Sequence, residues 1–237
     1  MIDNERNALI ARLAKLETAG MSDVLDEMGC PNQVLGSDIR PLDPAQRMAG
    51  VALCIRGENR VVTQSTALPG KQISAYELER RMQPGFVGVI DTGGHHIGAV
   101  IGGFIATSLK NSGCQGIVTD GGVRDSREIV EVGLPTFCKL VTPINASRRW
   151  TIVEVDQPVH MPGIAGGPVT IRPGDFLLGD ADGVIVILAE IAMLVIEAAE
   201  TLDTVEKTIT AGIRAGGNRE QLFALHPRFK HIARLKP

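Results

Sequence analysis

Apolar positions near the start of the chain recur with the spacing of an amphipathic helix. Over residues 4–19, three leucines fall on one stripe between charged residues, and Gly20 follows as a residue typical of a helix end. Ser22 has the chemistry of a helix N-cap, and the apolar residues behind it predict a second short helix. The chain is therefore expected to begin with two helices.

The middle of the chain alternates between short apolar runs, which predict strands, and segments that predict helices. The predicted strands are Gly50–Ile55, Phe86–Ile90, Gly116–Thr119 and Pro135–Leu140, and the predicted helices cover residues 72–82, 103–110 and 126–132. Strands that alternate with helices form βαβ units, so this order indicates a partly parallel sheet.

Beyond residue 150 the pattern changes to strands separated by glycine and proline turns, followed by a long helix. The predicted elements are strands Thr151–Val155, Val169–Arg172, Phe176–Leu178 and Val184–Leu188, and a helix over Glu190–Ala211. Its apolar stripe comprises Ile191, Leu194, Val195, Ala198, Leu202 and Val205. We expect this stripe partly to meet the rest of the chain and partly to support a cyclic oligomer, a trimer. The whole, residues 1–237, is predicted to be one α/β domain.

Composition narrows the classes of function. The 237 residues carry 24 Lys and Arg against 27 Asp and Glu, and 3% are aromatic, which argues against a nucleic-acid binder. The four cysteines are widely spaced and the N-terminus lacks a signal-like apolar segment, so a reduced, cytoplasmic protein is expected. No apolar run is long enough to predict a membrane span.

The candidate ligand-binding residues lie where a glycine pair precedes a helix and an Arg-Asp pair follows the next strand. Gly102 and Gly103 allow close backbone approach to a ligand, and the first amides of a helix are free donors for an anion. Arg124 offers a planar fork for a carboxylate. Both segments are expected at the carboxyl ends of adjacent parallel strands. A plain turn and a surface ion pair are the alternative interpretation of the same residues.

Acidic residues beside this pair suggest a metal site. Asp125 suits a hard divalent cation, and Mg²⁺ typically takes one or two carboxylates and keeps several waters. Glu128 follows on the same helical side and could hold a metal-bound water. Weaker candidates are His95-His96, expected to line a loop rather than to bind metal together, and Asp120, which either orients the Arg124 loop or caps a turn.

Three separated motifs resemble one family. They are residues 102–125, containing Gly113-Cys114-Gln115-Gly116-Ile117-Val118-Thr119-Asp120-Gly121-Gly122-Val123-Arg124-Asp125, the N-terminal Met21-Ser22-Asp23-Val24-Leu25-Asp26-Glu27-Met28-Gly29, and the stretch from Pro173 to Val184. This pattern resembles the family that comprises the 4-hydroxy-4-methyl-2-oxoglutarate aldolases and the regulator of ribonuclease activity A (RraA) proteins. The resemblance covers a core of about residues 20–190, with a C-terminal helical extension over about 190–237.

The resemblance implies a β/β/α swivelling fold, like that of phosphohistidine domains, with N- and C-terminal helices, assembled as a homotrimer or a dimer of trimers. It implies a site for Mg²⁺ or Mn²⁺ and a pyruvate-like 2-oxo acid. The substrate carboxylate would bind the backbone amides at Gly102, Gly103, Phe104 and Ile105. Arg124 would contact the substrate, and Asp125 would bind the metal directly.

The chain departs from the aldolase branch of that family in one position. Those aldolases carry an Asp separated by twenty residues from the Arg-Asp pair, whereas this chain has Gly103 at that position and carries Glu128 beyond Asp125. This arrangement matches the regulator-like branch.

Two functions follow as expectations. The first is a divalent-metal-dependent lyase that cleaves the C3–C4 bond of a short 2-oxo acid through a pyruvate enolate, as an aldolase, an oxaloacetate decarboxylase or both. Its substrate would be oxaloacetate or a 4-hydroxy-2-oxo diacid, with pyruvate as product. The alternative is a non-catalytic regulator that binds a ribonuclease or its scaffold.

Overall fold

The computed structural model describes residues 2–60 and 73–235. Its α-helices in these ranges are α1 (Ile2–Leu13), α2 (Thr18–Met28), α3 (Ala75–Arg81), α4 (Gly103–Asn111), α5 (Ser126–Glu131), α6 (Ala192–Arg214) and α7 (Arg219–Leu225), and a 3₁₀ turn at Ala189–Ile191 precedes α6. Its strands are β1 (Arg40–Pro41), β2 (Met48–Asn59), β3 (Phe86–Asp91), β4 (Ala99–Ile101), β5 (Gly116–Thr119), β6 (Gly122–Val123), β7 (Thr136–Cys138), β8 (Leu140–Val141), β9 (Trp150–Val155), β10 (Val159–Pro162), β11 (Pro168–Ile171), β12 (Phe176–Asp180) and β13 (Gly183–Ile187). None of these helices has the length and hydropathy that crossing a bilayer requires.

The large sheet has a parallel centre and antiparallel edges. Its order is β1-β7-β5-β3-β2-β12-β13, and β9 also pairs with β2. Strands β2, β3, β5 and β7 run parallel. Helices α3, α4 and α5 lie in the connections between them, because parallel neighbours need a crossover.

A second, small sheet sets the position of the candidate site. Strands β4, β6 and β8 pair in parallel, and each comes shortly after a parallel strand of the large sheet. The loops that leave the ends of β4 and β6 are therefore neighbours.

The core has three clusters separated by the large sheet and its helices. One lies between α1, α2, α6 and the face of the sheet formed by β2, β12 and β13. A second lies under α3, α4 and α5. The third fills the interior of the curled sheet, which the β10–β11 hairpin helps to close. Strand β2 is a continuous apolar run in the sequence because both of its faces are buried. Alternate residues of the strand face different core clusters. The mixed α/β class with helices at both ends is confirmed.

The predicted helix boundary at the N-terminus is wrong. Helix α1 ends at Leu13 and α2 begins at Thr18, so Gly20 lies inside a helix and Ser22 is not an N-cap. The cause is a long-range cap: the carboxylate of Asp180 accepts hydrogen bonds from the Thr18 amide (2.8 Å) and hydroxyl (2.7 Å). A distant side chain thus supplies the cap that local pattern placed at Ser22.

Elements after residue 135 also differ from the prediction. The predicted strand Pro135–Leu140 is divided into β7 and β8, β10 has no predicted counterpart, and α7 lies within the predicted C-terminal helical extension. In the predicted apolar stripe of α6, Val195, Ala198 and Leu202 are buried within the chain, whereas Leu194 is 52% exposed; Ile196, outside the stripe, is also buried. The predicted helix 72–82 appears as α3, and its first residue lies outside the described residues.

Candidate functional site

Two neighbouring strand ends bring the predicted site residues together. Strand β4 pairs in parallel with β6, so Gly102 and Arg124 each follow the end of a strand in the same small sheet. The Arg124 amide donates to the carbonyl of Ile101, 3.0 Å away, and this bond fixes the Arg124 loop beside the start of α4. The predicted adjacency of the two segments is confirmed.

Asp125 joins the two segments through its side chain. Its Oδ2 accepts a hydrogen bond from the Gly103 amide at 3.1 Å and lies 3.4 Å from the Arg124 Nε. Asp125 adopts a left-handed backbone conformation (φ 55°), which is uncommon for a residue other than glycine and which Asp tolerates better than most. Among the described residues, its Oδ1 has no hydrogen-bond partner. One carboxylate oxygen therefore organises the site while the other stays available.

Glu128 reaches the same point from the first turn of α5. A Cβ placed on Gly103 would lie 2.1 Å from the Glu128 Oε2 and 2.3 Å from its Cδ, far inside van der Waals contact. Gly103 is therefore the residue that leaves room for the Glu128 carboxylate. A Cβ on Gly102 would likewise come within 3.0 Å of both the Arg124 Nε and the Asp125 Oδ2.

One of the predicted carboxylate-binding amides is already bonded within the protein. The Gly103 amide already donates to Asp125, and the Ala106 amide donates to the Gly102 carbonyl at 3.0 Å as the first bond within α4. The amides of Phe104 and Ile105 have no carbonyl one turn back to bond. These two donors, at the positive end of the helix, are the ones that could hold an anion.

A cavity of about 410 Å³ opens beside this helix start. Gly102, Phe104, Ile105 and Arg124 lie in its wall. The Phe104 side chain is 85% exposed, so its ring stands at the rim, whereas Ile105 is half-buried. Helix α4 therefore presents two apolar side chains to the cavity.

The donor set fits a hydrated divalent ion. Asp125 and Glu128 supply two carboxylates that converge on Gly103, and the described residues contain no cluster of three or more His, Cys, Asp or Glu side chains placed to hold a metal. Mg²⁺ matches such a site because it keeps several waters and needs one or two carboxylates. Zn²⁺ does not match it, since zinc sites use three or four protein ligands with nitrogen and sulfur donors.

His95 has a structural place in the loop between β3 and β4. Its Nε2 accepts from the Gly98 amide at 3.0 Å, so Nδ1 carries the proton and donates to the Asn59 Oδ1 at 2.5 Å. Burial, with smaller effects from the charges of His96 and Arg149, lowers the pKa of His95. Both ring nitrogens are in use, whereas the side chain of His96 is exposed.

The side chain of Asp120 connects two loops. Its Oδ1 accepts from the Thr92 amide at 2.8 Å, which ties the loop after β5 to the loop after β3. Burial raises the pKa of Asp120. Of the two interpretations of this residue, the structure supports the loop-orienting one.

The pattern did not single out the rest of the cavity wall. Trp150, Ile73, Leu78 and Ile152 line the cavity. These residues come from two distant parts of the chain. The indole Nε1 of Trp150 donates to the Thr92 carbonyl at 3.0 Å. The only signal in the sequence was that Trp150, the single tryptophan, starts an apolar strand.

Comparison with known proteins places the chain in a family. A family model described as RraA-like, Aldolase/RraA, matches residues 18–186. The chain belongs to the RraA-like family. A protein of Halalkalibacterium halodurans named "Putative 4-hydroxy-4-methyl-2-oxoglutarate aldolase" is 34% identical over 178 residues, which is 75% of this chain and 75% of that protein. A protein of the same name from Paraburkholderia phytofirmans is 32% identical over 65% of this chain and 88% of its own length.

A solved RraA-like structure has the same fold. The crystal structure of Streptomyces coelicolor RraAS2, described as an unusual member of the RNase ES inhibitor RraA protein family, superposes with a TM-score of 0.71. The two are 26% identical, and the match covers 85% of this chain and 94% of that one. The family identified from the three sequence motifs is thus confirmed, and it contains proteins named for both of the expected functions.

Proposed function

We propose that this RraA-like chain is a divalent-metal-dependent lyase that cleaves the C3–C4 bond of a short 2-oxo acid. The observation that carries the proposal is the convergence of the Asp125 and Glu128 carboxylates and the Arg124 guanidinium on the start of α4, where two amides are free. The relatives named as aldolases at 32–34% identity support the reaction class.

Each residue has a distinct part in this reaction. The amides of Phe104 and Ile105 and the guanidinium of Arg124 bind the substrate carboxylate and hold its 2-oxo group toward Asp125. When bound by Asp125 directly and by Glu128 through water, Mg²⁺ or Mn²⁺ would supply the positive charge that stabilises the enolate oxygen. Because Oδ2 of Asp125 is held by the Gly103 amide, the carboxylate is oriented before any ligand arrives.

Aldol cleavage and decarboxylation share the step that forms the pyruvate enolate. In both, the C3–C4 bonding pair remains on the fragment that becomes pyruvate enolate, and C3 then takes up a proton. Aldol cleavage also requires a base for the C4 hydroxyl proton. Glu128 has no protein hydrogen-bond partner among the described residues, so its carboxylate is free to orient a water for that proton transfer.

A regulatory function is the second candidate. It is supported by the Gly103 and Glu128 pattern of the regulator-like branch and by the description of RraAS2 as a member of an RNase ES inhibitor family. In that case the chain would bind a ribonuclease or its scaffold, and 2-oxo acid turnover would be absent.

The deciding experiment measures pyruvate release from oxaloacetate against Mg²⁺ concentration, with and without EDTA. We expect Asp125→Ala to abolish the metal-dependent rate. Arg124→Lys keeps the charge but loses the fork, so it should raise KM and lower turnover while the metal dependence remains. Asp26→Ala, at an exposed aspartate on α2, is the matched control and should behave as wild type. Full activity in Asp125→Ala, or indifference to EDTA, would reject the lyase in favour of the regulator.

A further inference from the structure

Strand β4 forms one side of the cavity beside the helix start, and a different segment of the chain is bonded to each of its ends. All three residues of β4 lie in the cavity wall. At its end, the Arg124 amide donates to the Ile101 carbonyl at 3.0 Å. At its start, the Ala146 amide donates to the Ala99 carbonyl at 3.1 Å. Because a strand rises about 3.3 Å per residue, these two bonds lie roughly 7 Å apart along the wall. A ligand with a chain of a few carbons can therefore reach from one segment to the other.

Arg60 lies in the cavity wall beside the segment at the start of β4. Its Nη1 donates to the Ser147 carbonyl at 3.2 Å, one residue beyond the bond between that segment and β4. A guanidinium has five N–H donors, and this is the single bond that the described residues make to the Arg60 side chain. Arg60 forms no ion pair with them, whereas Arg56 is paired with Glu58 and Glu154 at 2.7 Å. The half-buried Arg60 therefore brings a positive charge and unused donors to the cavity.

Neutral polar groups near Arg60 add further donors. The Asn145 Oδ1 accepts from the Ser147 amide at 2.6 Å, so Nδ2 is the end of this side chain that has no partner among the described residues. The hydroxyls of Ser147 and Thr151 also lie in the wall, and no hydrogen bond to a described residue occupies them. The described wall contains no aspartate or glutamate. This part of the cavity therefore suits a second anion, in addition to the one that Arg124 and the α4 amides suit.

The apolar part of the wall strengthens an ion pair formed at Arg60. Ile90 and Ile152 are buried core residues, and the indole N–H of Trp150 is used by the Thr92 carbonyl. These side chains exclude water and offer no hydrogen bond, and a guanidinium–carboxylate pair is stronger where water is excluded. A carboxylate placed against this wall by itself would lose its hydration at a cost, for which the charge and donors of Arg60 compensate.

We propose that Arg60 binds the second carboxylate of a 2-oxo diacid and thereby gives the site a preference for diacids over monoacids. Arg124 and the amides of Phe104 and Ile105 hold the first carboxylate. The inference rests on the proposed lyase function, to which it adds a specificity-determining residue.

The second carboxylate leaves with the fragment that contains C4. A base removes the C4 hydroxyl proton of a 4-hydroxy-2-oxo diacid, the C3–C4 bond breaks, and C4 becomes the carbonyl carbon of a fragment that keeps this carboxylate. The bonding pair remains on C3 as the pyruvate enolate, and protonation of C3 gives pyruvate. Because the second carboxylate keeps its charge throughout, Arg60 binds the substrate and the transition state alike and acts on KM rather than on kcat.

A matched pair of ligands tests the preference on the unaltered protein. 2-Oxoglutarate and 2-oxopentanoate share five carbons and differ in the terminal carboxylate. Both are titrated in MgCl₂, with pyruvate as the ligand that lacks the distal part, while the fluorescence of Trp150, the single tryptophan of the chain and a residue of the cavity wall, is followed. We expect 2-oxoglutarate to bind at least about tenfold more tightly than 2-oxopentanoate, as for a hydrogen-bonded charged pair.

A pair of variants tests whether Arg60 is the cause. Arg60→Met removes the guanidinium and keeps an apolar stem. We expect it to raise the Kd of 2-oxoglutarate at least about tenfold, to that of 2-oxopentanoate, and to leave the Kd of 2-oxopentanoate and of pyruvate unchanged. Arg148→Met removes the same charge from an exposed arginine, next to Ser147, that does not line the cavity, and should change none of the three. In cleavage of 4-hydroxy-2-oxoglutarate, Arg60→Met should raise KM and leave kcat as in the wild type.

The outcomes separate this inference from the proposed function. Equal Kd values of 2-oxoglutarate and 2-oxopentanoate in the unaltered protein would overturn the role of Arg60, even where oxaloacetate is decarboxylated with Mg²⁺. So would equal losses in Arg60→Met and Arg148→Met, or a fall in kcat at unchanged KM. Because the ligand pair is measured on the unaltered protein, the inference stays testable if Arg60→Met does not fold. Failure of pyruvate itself to bind would overturn both the inference and the proposed function.

Discussion

At the scale of single residues, the site depends on how closely side chains approach two glycines. The Glu128 carboxylate occupies the space that a side chain at position 103 would fill, so the two positions are coupled by contact. A side chain at position 103 and the Glu128 carboxylate would compete for one place, which an acidic group could occupy from either position. The departure of this chain from the aldolase pattern is therefore compatible with a complete set of carboxylates.

The coupling predicts a non-additive pair of variants. Gly103→Ala should displace the Glu128 carboxylate toward solvent, lowering oxaloacetate decarboxylation about as much as Glu128→Ala, roughly 10–100-fold for a contact that acts through water. Since Glu128 is exposed and can move, the free energy of unfolding should change by less than about 1 kcal/mol. The double variant should be no slower than either single variant, and multiplicative losses would contradict the shared position.

His95 predicts how stability depends on pH. Burial lowers the pKa of His95 in the folded chain. At pH values between that pKa and the ordinary value of about 6.5, the unfolded chain therefore binds more protons than the folded chain. The stabilisation is present above pH 6.5 and is lost as the pH falls below it. We expect the midpoint of thermal unfolding to fall from pH 7.5 to 5.5, and His95→Gln to show a smaller fall from a lower starting value. The same slope in both proteins would exclude His95 as the cause.

At the scale of elements, α2 depends on a cap from a residue 162 positions further along the chain. The carboxylate of Asp180, at the end of β12, binds the amide and hydroxyl of Thr18 and also accepts from the Asp182 amide at 3.0 Å. The first aspartate of the turn Asp180-Ala181-Asp182-Gly183 therefore caps a helix.

Removing that cap should destabilise the fold measurably. Asp180→Ala leaves the Thr18 donors buried without an acceptor, and we expect it to lower the free energy of unfolding by about 1–3 kcal/mol in urea titrations. Asp182→Ala, at the exposed aspartate of the same turn, serves as the control and should change it by less than about 0.5 kcal/mol. Equal effects of the two substitutions would show that the turn, and not the cap, matters.

At the scale of the whole molecule, exposed apolar side chains gather near the small sheet. Ile97, Phe104, Val141 and Ile144 are 51%, 85%, 55% and 42% exposed and lie on or beside β4, α4 and β8. Helix α6, by contrast, buries most of its apolar residues within the chain. A contiguous apolar surface on a protein commonly marks an interface.

This surface predicts where copies of the chain would meet. We expect a homotrimer or a dimer of trimers in light scattering at micromolar concentration, and Val141→Glu should reduce the assembled fraction by placing a charge in the contact. Ile164→Glu, at a 60% exposed isoleucine between β10 and β11, is the comparison and should leave the assembly intact. A monomeric wild-type protein would contradict the predicted assembly.

The range of an interaction along the chain separates the features that local sequence predicts from those that only folding creates. Local pattern placed β3, β5, α4 and α5 within a residue or two, because apolar runs, glycines and capping residues act over one or two turns. It also placed Gly102 beside Arg124, since ends of adjacent parallel strands must meet. The cap of Thr18 by Asp180, the contact of Gly103 with Glu128 and the apolar wall around Trp150 were decided only by packing. Each depends on atoms far apart in the chain, and no local spacing encodes their distance.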